Sequence, residues 1–133
     1  MDDIVIRNKK IIEDTFKKMS IQDETYLDFL SDDFTYHSAY ETQKGKAALH
    51  KQYSGEIKNI PDFGIEIKRL IAEGNVVVAE YDWTGTQRGE YLGLPATNKK
   101  FRIPFIGVFD IEDGKIKLWR DMFNYAYLEK QIT

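Results

Sequence analysis

The sequence contains no cysteine, which excludes a disulfide framework, a thiolate nucleophile and a cysteine-ligated metal. It also lacks a run of about 20 apolar residues, the length that a membrane-spanning helix requires, so we expect no membrane partner. The 19 basic and 22 acidic residues are interspersed rather than gathered into a basic stripe, which argues against nucleic acid as the main partner. Neither a glycine-rich phosphate motif nor a serine nucleophile elbow is present.

Signals for export and for metal binding are also scarce. The first residues, Met1-Asp2-Asp3, are acidic and lack the basic start and apolar core of a secretory signal, so we expect a cytoplasmic protein. The only histidines, His37 and His50, have no acidic motif nearby. Surface or core histidines are therefore the favoured interpretation, and we predict no metal site.

The composition that is present fits an ordinary globular protein. The chain has 133 residues, of which 42% are hydrophobic and 14% aromatic. A domain of about this size buries roughly two-thirds of the surface that its unfolded chain exposes, so one core is sufficient. We therefore expect a single domain over residues 1–133.

The first half of the chain has helical periodicity. Apolar residues at three- and four-residue steps predict a helix over about 3–19. Asp23 can cap a short second helix that ends at Leu30, because its carboxylate can accept the free N–H groups of a first turn. A third helix is predicted over about 46–57.

The second half has strand-like runs. They cover Ile65–Ile71, Val76–Thr86, Phe101–Ile111 and Lys115–Phe123, and a closing helix is predicted over Tyr125–Ile132. Compact turns containing Gly74 and Gly114 indicate hairpins and hence antiparallel neighbours, whereas residues 87–100 form a longer connection. Helices followed by an antiparallel meander predict an α+β fold in which the helices cover one face of the sheet.

Both faces of this sheet carry apolar residues. Val77, Ala79, Tyr81 and Trp83 share one parity of their strand, and Ile116, Leu118 and Met122 share one parity of theirs. If the helices cover only one face, the other is an apolar patch of the kind that marks an interface. We expect a homodimer through the sheet that buries Tyr81 and Trp83; the alternative is that loops or the C-terminal segment cover this face.

Three carboxylates interrupt the apolar strands and are candidate acid–base groups. Glu80 and Asp82 share one face, and Asp121 shares a face with Trp119 and Phe123, although alternation does not show that the two faces are the same. If they are, the acids line one pocket and their pKa values are driven apart, which yields an acid and a base. The alternative is a solvated edge on which these acids form salt bridges.

The closing strands resemble those of limonene-1,2-epoxide hydrolase. The resemblance lies in Gly107-Val108-Phe109, Asp113-Gly114-Lys115-Ile116 and Trp119-Arg120-Asp121-Met122-Phe123. It implies that Asp121 activates a water and that Asp82 protonates the departing oxygen. Tyr36 matches the tyrosine that holds this water, whereas Ser38 stands where that family has asparagine and Glu80 where it has the arginine that bridges the two aspartates. The water-activating set is therefore incomplete.

The longer connection resembles the insert of SnoaL-like polyketide cyclases. The residues concerned are Thr86-Gln87-Arg88-Gly89 and Gly93-Leu94-Pro95-Ala96-Thr97-Asn98, together with Pro61-Asp62-Phe63 and the ending Leu128–Ile132. Those cyclases drive an intramolecular aldol closure with an aspartate of the sheet, without metal or organic cofactor. Both resemblances imply the nuclear-transport-factor-2-like superfamily and a cone-like barrel, in which a curved antiparallel sheet wraps around N-terminal helices and encloses a pocket.

Two functions are compatible with these residues. The first is a cofactor-independent enzyme for a small apolar molecule, with Asp121 as general base, Asp82 as acid and Tyr36 as hydrogen-bond donor. Ser38, Glu80, Phe105, Trp119 and Phe123 are then the substrate-binding candidates, although such aromatic residues are more often plain core. The second is a noncatalytic ligand-binding or dimerisation domain, which Glu80 in place of arginine favours.

Overall fold

A computed structural model describes residues 3–38 and 41–133. The described helices are α1 (Asp3–Ser20), α2 (Lys46–Asn59) and α3 (Tyr125–Ile132), with a 3₁₀ helix over Glu24–Phe29. The strands are β1 (Leu30–His37), β2 (Thr42–Lys44), β3 (Gly64–Glu73), β4 (Val76–Thr86), β5 (Lys100–Glu112) and β6 (Lys115–Met122). The four helices and the four long strands that the sequence predicts are therefore present.

Local sequence explains where these elements begin. The Asp23 carboxylate accepts a hydrogen bond from the Thr25 N–H at 2.9 Å, which caps the 3₁₀ helix as expected. The turn between β5 and β6 consists of Asp113 and Gly114, with φ angles of 51° and 75°, the paired positive values of a tight hairpin. Within the described residues, no helix has both the length and the apolar character needed to cross a membrane.

The strands form one mixed sheet in the order β2-β1-β6-β5-β4-β3. The α+β prediction is confirmed, and every neighbouring pair is antiparallel except β1 and β6, which run parallel. Neither the parallel pair nor the short β2 was predicted. The parallel register sets Tyr36 beside Trp119, which matters for the site below.

The inner face of the sheet packs against α1 and holds the core. Along β4, burial alternates strictly, and Tyr81 and Trp83 face inward with only 3% and 4% of their surface exposed. The centroid of the Phe16 ring of α1 lies 4.8 Å from the centroid of the Tyr81 ring. The expectation that Tyr81 and Trp83 form a dimer interface is therefore wrong: alternation places both on one face correctly, but that face is the one covered by the helices.

The outer face of the sheet is the one left uncovered. Ile106 and Met122 are register partners on β5 and β6 and are 43% and 70% exposed. Leu118 lies on the same side, whereas Ile116 is fully buried because the register shifts between Asp110 and Ile111. An uncovered apolar surface is therefore present, but it is formed by Ile106, Leu118 and Met122 and not by Tyr81 and Trp83.

Candidate functional site

A cavity of about 140 Å³ lies between the inner face of the sheet, α2 and the long connection after β4. Half of its lining residues are aromatic, and the polar side chains among them are few. Six of the residues predicted from sequence line it. They are Tyr36, Ser38, Phe105, Trp119, Asp121 and Phe123.

Asp121 is the most strongly organised polar group in this cavity. Its Oδ1 accepts hydrogen bonds from the Tyr81 hydroxyl at 2.6 Å and from Trp119 Nε1 at 2.8 Å. Its Oδ2 accepts one from the Tyr36 hydroxyl at 2.8 Å. Since two carboxylate oxygens offer about four acceptor positions, these three donors leave one position on Oδ2 without a partner among the described residues, where a ligand proton could bind.

The surroundings of Asp121 make it a weaker acid and a better base than an exposed aspartate. Burial raises its pKa from 3.8 to about 6, although the three hydrogen bonds oppose this by stabilising the charged form. Burial, and then the Asp121 charge, raise the pKa of Tyr36 and Tyr81 well above the ordinary value of a phenol. Both hydroxyls therefore stay protonated and act as donors.

Strand register brings these four side chains together. Tyr36 of β1 is paired with Trp119 of β6, and Asp121 follows on the same face of β6. Asp121 is paired with Gly107 on β5, where a Cβ would lie 2.9 Å from Asp121 Oδ1 and 2.9 Å from the Phe109 ring. The missing side chain at Gly107 is therefore what makes room for the carboxylate.

Glu80 and Asp82 do not belong to this site. Both point to the outer face, where Asp82 accepts a hydrogen bond from Arg102 Nη1 at 2.8 Å and Glu80 is paired with Arg69. The hypothesis of three acids in one pocket is wrong, because Glu80 and Asp82 have the opposite parity to the buried Tyr81. The salt-bridged alternative describes these two acids correctly.

Besides the exposed Glu41, one further carboxylate lines the cavity, that of Glu56, and the sequence analysis missed both. Glu56 of α2 accepts a hydrogen bond from the Tyr91 hydroxyl at 3.0 Å. Its pKa is raised from 4.5 to about 7, chiefly by burial and also by the nearby carboxylates of Glu41 and Asp121, while hydrogen bonds from Tyr91 and Gln52 oppose the change. Glu56 is half-buried and lines the cavity.

A sequence signal for Glu56 existed in the predicted third helix. Leu49, Gln52, Tyr53 and Glu56 follow the i, i+3, i+4, i+7 spacing of one helix face. Leu49 and Tyr53 are buried, at 4% and 2% exposure. A carboxylate on the buried face of a helix is as informative as one in an apolar strand.

Two further polar atoms of the cavity wall have no hydrogen-bond partner within the described residues. These are the indole nitrogen Nε1 of Trp83 and the amide oxygen Oε1 of Gln52. Both atoms are buried, and both residues line the cavity. Such groups are costly to bury unpaired, so each is a position at which a polar ligand atom would be stabilised.

The described part of the chain contains no group of three or more His, Asp or Glu side chains arranged to hold a metal ion. Asp121 and Glu56 instead have tyrosine, tryptophan and glutamine side chains as their hydrogen-bond neighbours. Chemically, the cavity offers two weakly acidic carboxyl groups in an aromatic enclosure. This arrangement is suited to moving protons on a small, largely apolar molecule.

Comparison with protein families gives one match, which covers almost the whole chain. A profile described as SnoaL-like polyketide cyclase matches residues 10–132. No functionally curated protein matches the chain.

Many solved structures share the fold. A candidate SnoaL-like polyketide cyclase from Jannaschia sp. CCS1 superimposes with a TM-score of 0.89 at 18% identity, covering 99% of this chain and 95% of the other. AclR, a candidate hydroxylase from Streptomyces galilaeus, gives 0.83 at 22% identity, with 93% of both chains covered. An LEH-like epoxide hydrolase from M. tuberculosis gives 0.79 at 21% identity, covering 96% of this chain and 90% of the other.

Proposed function

Because the chain belongs to the SnoaL-like polyketide cyclase family, we propose that it is an acid–base enzyme that acts on a small, largely apolar molecule without metal or organic cofactor. Asp121 is the general base. Tyr36 donates a hydrogen bond either to Asp121 or to an oxygen of the bound substrate. Ser38, Phe105, Trp119 and Phe123 form part of the substrate-binding wall. The reaction is proton transfer at carbon, of the kind that starts an aldol ring closure.

The observation that carries this proposal is the hydrogen bonding of Asp121. A buried carboxylate that merely stabilised the fold would have its acceptor positions filled, whereas Asp121 lines the cavity and its Oδ2 has one donor among the described residues. Its pKa of about 6 lies close to neutral pH, where a general base combines basicity with a large ionised fraction. Aromatic walls supply the apolar contact that a compact substrate needs.

Epoxide opening is less well supported than proton transfer at carbon. The limonene-1,2-epoxide hydrolase pattern requires an acid and a bridging arginine on the strand that corresponds to β4. The buried residues of β4 are Val77, Ala79, Tyr81, Trp83, Gly85 and Thr86, and none of them is charged. The epoxide-opening pair that the resemblance implies is therefore not formed by β4.

A substrate panel tests the proposal. Polyketide-like β-keto esters and small epoxides are incubated with the wild-type protein and with Asp121→Asn, and the products are followed by mass spectrometry. We expect conversion of keto esters by the wild type and loss of that conversion in the variant. Equal product formation by both proteins would remove Asp121 from the mechanism.

The second candidate function is a noncatalytic binding domain that uses the same cavity. Three neutral donors already surround Asp121, which is also how a structural carboxylate is stabilised. Retention of one compound of the panel without turnover of any would favour this alternative.

We further propose that the protein is a homodimer through the outer face of the sheet. The exposed Ile106 and Met122 and the half-buried Val78, Val108 and Leu118 form an apolar area on three adjacent strands. Exposed apolar surface is typical of interfaces, and here Glu80, Asp110 and Arg120 stand beside it as register partners. The cavity lies on the other side of the sheet and stays accessible in such a dimer.

A further inference from the structure

Besides the exposed Glu41, the cavity wall carries one further carboxyl group, Glu56, that the proposed function does not use. It lies on α2, whereas Asp121 lies on β6, so the two groups enter the cavity from different elements. Glu56 is held in place by the Tyr91 hydroxyl at 3.0 Å, and the Tyr91 ring packs against Trp83 with 5.5 Å between ring centroids. Tyr91 therefore links a carboxyl group to the indole whose N–H has no partner in the described residues.

The unpaired polar atoms indicate which chemistry the ligand carries near Glu56. Trp83 Nε1 can only donate a hydrogen bond, so it fits a carbonyl or hydroxyl oxygen. Gln52 Oε1 can only accept one. A pure hydrocarbon would leave both unpaired, and burying an unpaired group costs about 1–3 kcal/mol. A carbonyl oxygen would pair with Trp83 Nε1, and a hydroxyl group, such as that of an enol, could also donate to Gln52 Oε1.

We propose that Glu56 is the second proton-transfer group of this site and that the substrate is a compact carbonyl compound with an acidic C–H bond beside the carbonyl. The inference rests on the proposed function of Asp121 and adds the partner that this function requires. Asp121 removes the proton from carbon. Glu56, in its protonated form, gives a proton to the carbonyl oxygen.

The electron flow of this step is balanced within the two carboxyl groups and the substrate. Asp121 Oδ2 takes the C–H proton, the electron pair of that bond becomes the C=C bond of an enol, and the carbonyl π pair moves to oxygen. That oxygen takes the Glu56 proton, which leaves Glu56 ionised and Asp121 protonated. In ring closure, the enol carbon attacks a second carbonyl, Glu56 recovers its proton, and Asp121 protonates the new alkoxide.

The protonation states that this step needs are compatible with the surroundings of both groups. Asp121 must be ionised and Glu56 protonated, which fits pKa values of about 6 and about 7. The pair therefore predicts a bell-shaped dependence of rate on pH with its maximum between these values. The titratable groups that act on Glu56 or are affected by its charge are Tyr26, Tyr36, Glu41, Tyr53, Tyr91 and Asp121.

The first experiment does not depend on turnover. The protein is labelled with ¹³C at the carboxyl groups of Glu and Asp, and Glu56 is assigned by comparison with Glu56→Gln. We expect the Glu56 signal to titrate near pH 7. A Glu56 that is already fully ionised at pH 5 could not donate a proton near neutrality, and this result would overturn the inference.

The second experiment measures α-proton exchange of 2-tetralone in D₂O by NMR. Glu56→Gln keeps a hydrogen-bond donor but cannot transfer a proton, so kcat should fall by about 10²-fold or more while KM stays within about threefold. The alkaline limb of the pH profile should disappear. Glu90→Gln, an exposed residue next to Tyr91 with the same change of charge, should leave rate and profile unchanged.

Tyr91→Phe separates proton transfer from a structural role. It removes the hydrogen bond that stabilises the Glu56 carboxylate, so the alkaline limb should move to higher pH while exchange continues. If Glu56→Gln keeps both the wild-type rate and the alkaline limb while Asp121→Asn is inactive, this inference fails and the proposed function stands. If the wild type exchanges no faster than Asp121→Asn, the proposed function fails and this inference with it.

Discussion

At the scale of single residues, the proposed role of Asp121 as general base predicts what loss of its charge does to turnover and to stability. In Asp121→Asn, the amide oxygen can accept from Tyr81 and Trp119, and the amide N–H₂ can donate to the Tyr36 hydroxyl oxygen. The packing should therefore persist while basicity is lost. We predict that turnover falls by about 10² to 10⁴-fold with ligand affinity nearly unchanged, as measured by steady-state kinetics and calorimetry.

The same residue should make stability depend on pH. Its folded pKa of about 6 lies above the ordinary 3.8, so its carboxyl group favours folding fully below about pH 4 and progressively less as pH rises to 6. The loss is on the order of 3 kcal/mol at neutral pH. We predict that Asp121→Asn raises the melting temperature at pH 7 relative to wild type and does so less at pH 4.

Calorimetry at the two pH values measures this difference. Asp110→Asn, a change of the same kind on the outer side of β5, is the matched control. Its melting temperature should not show an increase over wild type that grows with pH. A melting temperature of Asp121→Asn below wild type at pH 7 would contradict the prediction.

At the scale of elements, the close contact between Gly107 of β5 and Asp121 of β6 decides whether the Asp121 carboxylate fits. A methyl group at Gly107 would lie 2.9 Å from Asp121 Oδ1 and from the Phe109 ring, both of which are buried. We predict that Gly107→Ala lowers activity by at least tenfold, because displacement of a catalytic group from its productive position is costly. It should also lower the melting temperature.

Gly55→Ala is the control for that substitution. Gly55 lies inside α2, and a Cβ there would have no atom within 4 Å. Alanine at this position should stabilise α2 by about 0.5–1 kcal/mol relative to glycine, and activity should stay at the wild-type level. Equal activity of Gly107→Ala and wild type would show that the carboxylate does not depend on this close approach.

At the scale of the whole molecule, the uncovered face of the sheet predicts assembly. We expect a dimer mass by light scattering at micromolar concentration, with an interface larger than about 1,000 Å². Ile106→Lys should yield a monomer, because it places a charge in the centre of the apolar area. Ile21→Lys, at a residue 65% exposed away from the sheet, should remain dimeric. A monomeric wild type would refute the dimer.

Independence of metal ions is also predicted at the scale of the whole molecule. With two histidines and no cysteine in the chain, activity and melting temperature should survive exhaustive chelation. A melting temperature that falls with chelator and recovers with one metal ion would contradict this prediction.

Sequence by itself determined the α+β architecture and the limits of most elements, because periodicity, caps and turn residues act over short distances along the chain. It also singled out Asp121 as a candidate acid–base group. It determined equally that Glu80 and Asp82 share a face, and that Tyr81 and Trp83 share the opposite one. Resemblance to known families pointed to Tyr36. These conclusions need no knowledge of what packs against the sheet.

Only the tertiary structure decided which face of β4 lies under α1. This choice places Tyr81 inside the site and Asp82 outside it. Alternation has two equivalent assignments, and long-range packing chooses between them. The parallel pairing of β1 with β6 likewise brings Tyr36 to Asp121 across 85 residues of sequence. Glu56 meets the same cavity from α2 for the same reason: convergence in space is a property of packing, which no local pattern encodes.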